Sequence, residues 1–309
     1  MTTLRIGSRG SALALWQADH VRGELMRLWG RDAKIVRIRT VGDREAESAI
    51  PLLGSKGVFI KEIEEALLSG RVDLAVHSMK DVPTEPPAAL IFPAILKRGD
   101  ARDCLISRGH LQLAQLQPGA LVGTSSLRRQ SQLRAFRRDL DVRDLRGNVD
   151  TRMKKVGEGE LDAVVIARAG VERLGAIAEI AETLSTDMML PAVGQGALCI
   201  ETRADDLELV GLLGVLDDSE TRACVTAERA LLVRLEGGCQ VPLGALAHTE
   251  GQRLVLEACV VALDGTQSIR RIAWGNAAAP QDLGSKLAET MLTEGAGKLL
   301  QDARQNVLQ

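Results

Sequence analysis

The chain has no tyrosine and only three phenylalanines and three tryptophans among its 309 residues. Binders of single-stranded nucleic acid stack bases on aromatic rings, and so few rings cannot build that platform. A net charge of −2 and an isoelectric point near 6.2 argue equally against a duplex-binding module. No apolar run approaches the roughly eighteen residues of a membrane-spanning helix, so no membrane partner is expected. The first residues, Met1 to Arg5, lead into a strand-like segment without the apolar core of a signal peptide. The four histidines stand apart and no Cys-x-x-Cys pair occurs, so no metal site is expected. Five scattered cysteines (Cys104, Cys199, Cys224, Cys239 and Cys259) fit reduced thiols in a cytoplasm better than a disulfide framework.

Lysine is scarce as well, and here the scarcity is informative. Of 39 basic residues, 9 are lysines and 30 are arginines. Arginine grips carboxylate or phosphate through two parallel hydrogen bonds and keeps its charge when partly buried. Between Arg128 and Arg152 lie eight arginines and four aspartates, a local surplus of four positive charges. An anionic small molecule is therefore the expected partner.

At this length the chain should form two or three domains, each with its own core. Strand and helix signals alternate over the first two hundred residues. Leu4–Ser8 reads as a strand, Ser11 as the cap of a helix reaching about Trp29, and 34–41 as a second strand. Gly42 to Gly57 reads as a mobile loop, followed by a helix over 59–68 and a strand over 72–77. The rhythm returns with strands at 121–123, 142–145 and 163–166, each followed by a helix. That alternation implies α/β units with parallel-rich sheets, folded as two lobes around a cleft. After about Ser219 come a long helix, three strands (241–248, 253–263, 268–275) and a helix over 281–300, an α+β domain.

Three strand ends offer arginine beside small or hydroxylated residues: Arg9 with Ser11, Gly123-Thr124-Ser125-Ser126-Leu127-Arg128-Arg129, and Arg146-Gly147-Asn148 with Arg152. Helix starts with free N–H groups and nearby guanidiniums favour anions, and three such corners suggest a ligand with many carboxylates. Asp81, after Lys80 at another strand end, suits a general acid or base, or a group that stabilises a developing cation. His77-Ser78 is not a hydrolase pair, since consecutive side chains diverge and no Gly-x-Ser-x-Gly elbow is present. Gly237-Gly238-Cys239-Gln240-Val241 holds a thiol on a glycine-bearing loop, a setting for covalent work.

Five blocks in order carry a family likeness: Val76-His77-Ser78-Met79-Lys80-Asp81-Val82-Pro83, Gly123 to Gln130, Leu145-Arg146-Gly147-Asn148, Leu190-Pro191-Ala192-Val193-Gly194-Gln195-Gly196, and Leu235 to Pro242. Through them the chain resembles the porphobilinogen deaminase (hydroxymethylbilane synthase) family over nearly its whole length. The resemblance implies a cytoplasmic, monomeric transferase of tetrapyrrole (heme) biosynthesis. It would join four porphobilinogen molecules head to tail, release ammonia and free hydroxymethylbilane. A dipyrromethane cofactor, joined to Cys239 through a thioether, would anchor a chain of up to six rings and twelve carboxylates.

By the same resemblance Asp81 is the catalytic carboxylate, steadying the cationic azafulvene formed as ammonia leaves. Arg9, Ser11, Lys80, Thr124, Ser126, Arg128, Arg129, Arg146, Arg152 and Arg173 match positions that bind carboxylates of cofactor and substrate, with Gln195 in the cleft segment. Asp43, Lys56 and Phe59 match the mobile loop, where Leu52 replaces a frequent second lysine. The implied fold has two periplasmic-binding-protein-like lobes, residues 1–98 with 197–215 and residues 99–196, plus an α+β domain over 219–309. A solute receptor or a regulator's effector domain is the rival reading, but such a module has no use for a covalently loaded Cys239.

Overall fold

Short apolar runs separated by helices build three sheets in the computed structural model, which describes residues 3–40, 60–235 and 241–308. The chain begins with β1 (Leu4–Ser8), α1 (Ala12–Trp29), β2 (Ala33–Arg37), α2 (Lys61–Leu68), β3 (Leu74–Ser78) and β4 (Leu90–Ile95). It continues with β5 (Asp103–Ser107), β6 (Leu121–Gly123), α3 (Leu127–Phe136), β7 (Asp141–Arg143), α4 (Val149–Gly157), β8 (Ala163–Ala167), α5 (Arg168–Arg173) and β9 (Glu182–Thr183). Then come β10 (Leu198–Arg203), α6 (Leu207–Gly214), α7 (Ser219–Arg234), β11 (Leu243–Glu250), β12 (Arg253–Val261), β13 (Ser268–Asn276), α8 (Pro280–Thr293) and α9 (Ala296–Leu308). Residue contacts divide the chain into two units, 1–98 with 197–222 and 99–196 with 223–309.

The first unit holds a sheet in the order β2-β1-β3-β10-β4. β1 runs parallel to β2 and β3, whereas β10 runs antiparallel to β3 and β4. Alternate residues face opposite layers, as pleating requires. Leu74 and Val76 join Ala18, Val21 and Leu25 of α1, while Ala75 joins Ile63, Ala66 and Leu67 of α2. Each fully buried aliphatic side chain in these layers contributes about 1.5–3 kcal/mol by transfer from water. Ser11 caps α1 by accepting from Ala14 N, and Gly30, at φ 60°, ends it in a left-handed turn. β4 carries Pro93, tolerated because β4 is an edge strand that needs fewer N–H donors.

The second unit repeats the plan with the order β7-β6-β8-β5-β9. β6 is parallel to β7 and β8, and β5 is antiparallel to β8 and β9. In both sheets three parallel strands meet one antiparallel strand that begins just after the chain passes between units, β5 after 98 and β10 after 196. This unit also contains the antiparallel sheet β11-β12-β13, whose core faces Ala227 and Leu231 of α7 and Leu283, Leu287 and Met291 of α8. Ala245 N donates to Pro191 O at 2.9 Å, and a Cβ on Gly244 would stand 2.7 Å from Leu190 O. The antiparallel sheet thus packs directly on the segment that follows β9.

The expected class, α/β with two parallel-rich sheets and a C-terminal α+β part, is the one observed. The single helix expected over 281–300 is instead two, because Gly295 adopts φ 101° between α8 and α9. Among the described residues no helix is long and apolar enough to cross a membrane. No cluster of three or more potential metal ligands occurs among them either.

Candidate active site

In the first unit β1 and β3 are parallel neighbours, with Ile6 opposite Leu74, so both end at the same sheet edge. Ligands of open α/β sheets collect at that carboxyl edge. β1 delivers Arg9 and Ser11; β3 delivers a single helical turn, Met79–Asp81. Met79 is buried and its N–H donates to Ala197 O at 3.0 Å, which pins the turn to β10. Gln17 Nε2 reaches from α1 to Ser78 Oγ at 2.9 Å and ties the two strand ends together. Lys80 is half-buried, while Asp81 stands exposed at the rim with no partner for its carboxylate among the described residues. His77 turns the other way, 2.9 Å from buried Glu201, so it forms no pair with Ser78.

In the second unit the three parallel strands again end together. β6 leads into Thr124, whose Oγ1 accepts from Ser126 N at 3.3 Å at the start of α3. Gly123 is required there, since a Cβ would lie 2.6 Å from Leu161 Cδ1. β7 leads into Arg146 and Gly147, the latter at φ 111°, and Arg152 Nε returns from α4 to Gly147 O at 2.8 Å. β8 leads into α5 and Arg173, whose Nη2 donates to Gly196 O at 2.6 Å. Burial lowers the Arg173 guanidinium from its ordinary value. Gln130 Nε2 bridges the first two corners through Thr124 O at 2.9 Å and Asp144 Oδ1 at 2.6 Å. Arg146 is exposed.

Arg128, Arg129 and Gln195 occupy a different setting, the interior of this unit. Arg128 Nη1 donates to Asp103 Oδ2 at 2.7 Å and to Leu190 O at 2.6 Å. Arg129 places Nε and Nη2 on Asp103 Oδ1 at 3.1 and 2.8 Å. Gln195 Nε2 adds a bond to the same oxygen at 2.8 Å and another to Ala101 O at 2.7 Å. Burial alone would push the Asp103 carboxyl up, yet Arg128 and Arg129 together hold it well below the usual carboxylate range. The sequence reading missed Asp103. Its signal is a carboxylate opening the apolar run Cys104-Leu105-Ile106, which burial permits only with cationic partners.

Four cysteines are buried free thiols: Cys104, Cys199, Cys224 and Cys259. Burial pushes Cys104 up to about 12 and Cys259 up to about 11, so neither is a ready nucleophile. The fifth, Cys239, lies outside the described residues, as do Asp43, Lys56 and Phe59. The structure therefore gathers Arg9, Ser11, Lys80 and Asp81 on one edge and Thr124, Ser126, Arg146 and Arg152 on another, while Arg173 is held at the end of α5 by Gly196 O.

Residues 4–211 match the family model for the dipyrromethane cofactor-binding domain of porphobilinogen deaminase, and residues 222–293 match that for its C-terminal domain. The porphobilinogen deaminase of Desulforudis audaxviator is 50% identical over 300 residues, covering 97% of this chain and 97% of its own. Those of Pelotomaculum thermopropionicum and a Roseiflexus species are each 48% identical, covering 98% and 96% of this chain and 97% and 98% of theirs. Among solved structures, a putative methionine-binding lipoprotein of Bacillus subtilis aligns with a TM-score of 0.43 at 14% identity, over 71% of this chain and 91% of that one.

Proposed function

The chain belongs to the porphobilinogen deaminase family, and from that premise we propose how its own residues serve the head-to-tail condensation of porphobilinogen. The observation that carries the assignment is the exposed Asp81 carboxylate at the end of β3, one strand from Arg9 and Ser11. Ammonia leaves the aminomethyl carbon of porphobilinogen with its bonding pair, and positive charge spreads into the pyrrole. Asp81 accepts a hydrogen bond from the pyrrole N–H and stabilises that charge. A carboxylate about 4 Å from a unit cation, at an effective dielectric of about 20, contributes about 4 kcal/mol. That is about a thousandfold in rate.

The residues fit a polycarboxylate cofactor. Arg9 and Lys80 in the first unit and Arg146 in the second follow strand ends, and Arg152 and Arg173 lie on α4 and α5, the helices after β7 and β8; guanidiniums and ammoniums so placed suit carboxylates. Thr124 and Ser126 add hydroxyl groups, and Arg128 Nε is buried without a partner among the described residues. The dipyrromethane group, when bound, supplies a covalent anchor on which the product chain grows. Cys239 is the attachment point on this reading, supported by the burial of the other four thiols. On the same reading Asp43, Lys56 and Phe59 help to shield the reaction from water. Residues 1–98 with 197–215 and residues 99–196 form the two lobes, and 219–309 the domain that carries the thiol. The protein works as a cytoplasmic monomer on porphobilinogen alone, without nucleic acid or membrane.

Ammonia release and porphobilinogen consumption by the purified chain test this directly. The parent should release one ammonia per porphobilinogen consumed, and Asp81→Asn should be slower by about a thousandfold. A folded Asp81→Asn protein that keeps more than about a tenth of parental turnover contradicts the assignment.

A further inference from the structure

Arg128, Arg129 and Gln195 converge on one carboxylate, that of Asp103, which is completely buried. Each side chain that donates to that carboxylate also donates to a backbone carbonyl. Arg128 Nη1 reaches Leu190 O at 2.6 Å, Arg129 Nη1 reaches Val165 O at 3.2 Å, and Gln195 Nε2 reaches Ala101 O at 2.7 Å. The next residue after Gln195 supplies the carbonyl that holds Arg173. Asp103 therefore fixes the planes of two guanidiniums and the path of the segment that orients a third.

The charge balance inside this cluster is uneven. Two guanidiniums face one carboxylate, which leaves one positive charge in a place where unpaired charge is costly. Arg128 Nε is moreover a buried donor without an acceptor among the described residues. A second anion would satisfy both deficits at once. We propose that Asp103 is a positioning residue: it pre-sets Arg128 and Arg129 with one charge left uncompensated, so that a carboxylate of the tethered pyrrole chain completes the cluster. This rests on the reading that those arginines receive ligand carboxylates. Asp103 touches no ligand itself; its effect runs through the three side chains it holds.

The test uses the full-length protein and reads cofactor loading by intact mass, with melting temperature and circular dichroism alongside. Asp103→Asn keeps the shape but turns an acceptor into a donor facing a guanidinium. Asp103→Glu keeps the charge but advances it by about 1.5 Å, one carbon–carbon bond. Misplacement of that size costs up to about a hundredfold where orientation matters. Folded Asp103→Asn should carry the two-pyrrole adduct on a small minority of chains. Asp103→Glu, with an extra methylene in a filled interior, should melt several degrees below the parent yet fold, and acquire the adduct from porphobilinogen at least about tenfold more slowly.

Arg128→Leu separates the two levels of the reading. If Arg128→Leu fails to load while folded Asp103→Asn and Asp103→Glu load like the parent, the positioning role is overturned and the arginine reading survives. If Arg128→Leu itself loads like the parent, the arginine reading fails and the inference falls with it. If loading per folded molecule stays parental while both Asp103 variants only lose melting temperature, the residue is a structural ion-pair partner and the proposal is wrong. Should Asp103→Asn not fold, the loading rate of Asp103→Glu decides alone.

Discussion

Glu228 offers the sharpest test of how the thiol-bearing unit is held together. Its carboxylate, on α7, is completely buried and accepts from two backbone donors, Gly194 N at 2.7 Å and Ala247 N at 2.8 Å. One belongs to the segment leading to Gln195 and the other to β11. Glu228→Gln preserves volume but presents an NH2 group to one of those donors. One charge-assisted bond, worth about 1.5–3 kcal/mol, is lost and the other weakens to a neutral bond of about 1 kcal/mol. Relief from burying a charge offsets part of this loss, leaving a net cost of about 2–3 kcal/mol. In a unit of this size that lowers the melting temperature by about 4–12 °C. Glu228→Ala strands both N–H groups and opens a cavity, so it should cost more than the glutamine variant. Calorimetry on the two variants and the parent reads the difference. A Glu228→Gln protein that melts within about 1 °C of the parent would show that these two bonds do not hold the unit together.

Two further outcomes follow from the buried groups. Burial, and then the Glu201 carboxylate, raise Glu64 above its ordinary value against an opposing pull from His77. A raised folded value means that the native state loses stability as pH climbs from the unfolded glutamate range near about 4.3 through that raised folded value. Glu64→Gln should therefore melt higher than the parent at pH 8 and gain nothing at pH 4, and an unchanged melting curve at pH 8 would contradict this. Cys104 and Cys259, with thiols pushed up to about 12 and about 11, should resist iodoacetamide in the native protein at pH 8 and react after denaturation. Peptide mapping that finds either alkylated at the rate of a free thiol would contradict their burial.

The parts legible in the sequence are those whose signals are local. Ser11 before an amphipathic run marked α1, the alternating strands of the β11-β12-β13 sheet marked themselves, and glycine or serine beside arginine marked the strand-end corners. The parts that escaped depend on partners far along the chain. β10 carries Glu201 and β5 opens with Asp103, charges that break an apolar run unless one sees His77 or Arg128 and Arg129 beside them. β4 was hidden by Pro93, which only an edge position excuses. The break at Gly295 did leave a local mark, a glycine inside an apolar periodicity.

The candidate site divides the same way. Arg9, Lys80, Asp81, Arg146 and Arg152 could be placed from strand ends alone, because a parallel sheet brings such ends to one edge. Arg128 and Arg129 read as carboxylate binders at a helix start. They lie inside because Asp103, from a strand antiparallel to its neighbours, neutralises part of their charge. No spacing rule links residue 103 to residues 128, 129 and 195.

The proposed function requires a covalent pyrrole anchor on the sulfur of Cys239. Intact-mass analysis of the purified chain, beside Cys239→Ser prepared identically, tests it most directly. The parent should carry an adduct of two pyrrole units, and the serine variant should carry none. An unmodified parent that turns over porphobilinogen, or an adduct that persists in Cys239→Ser, would contradict it.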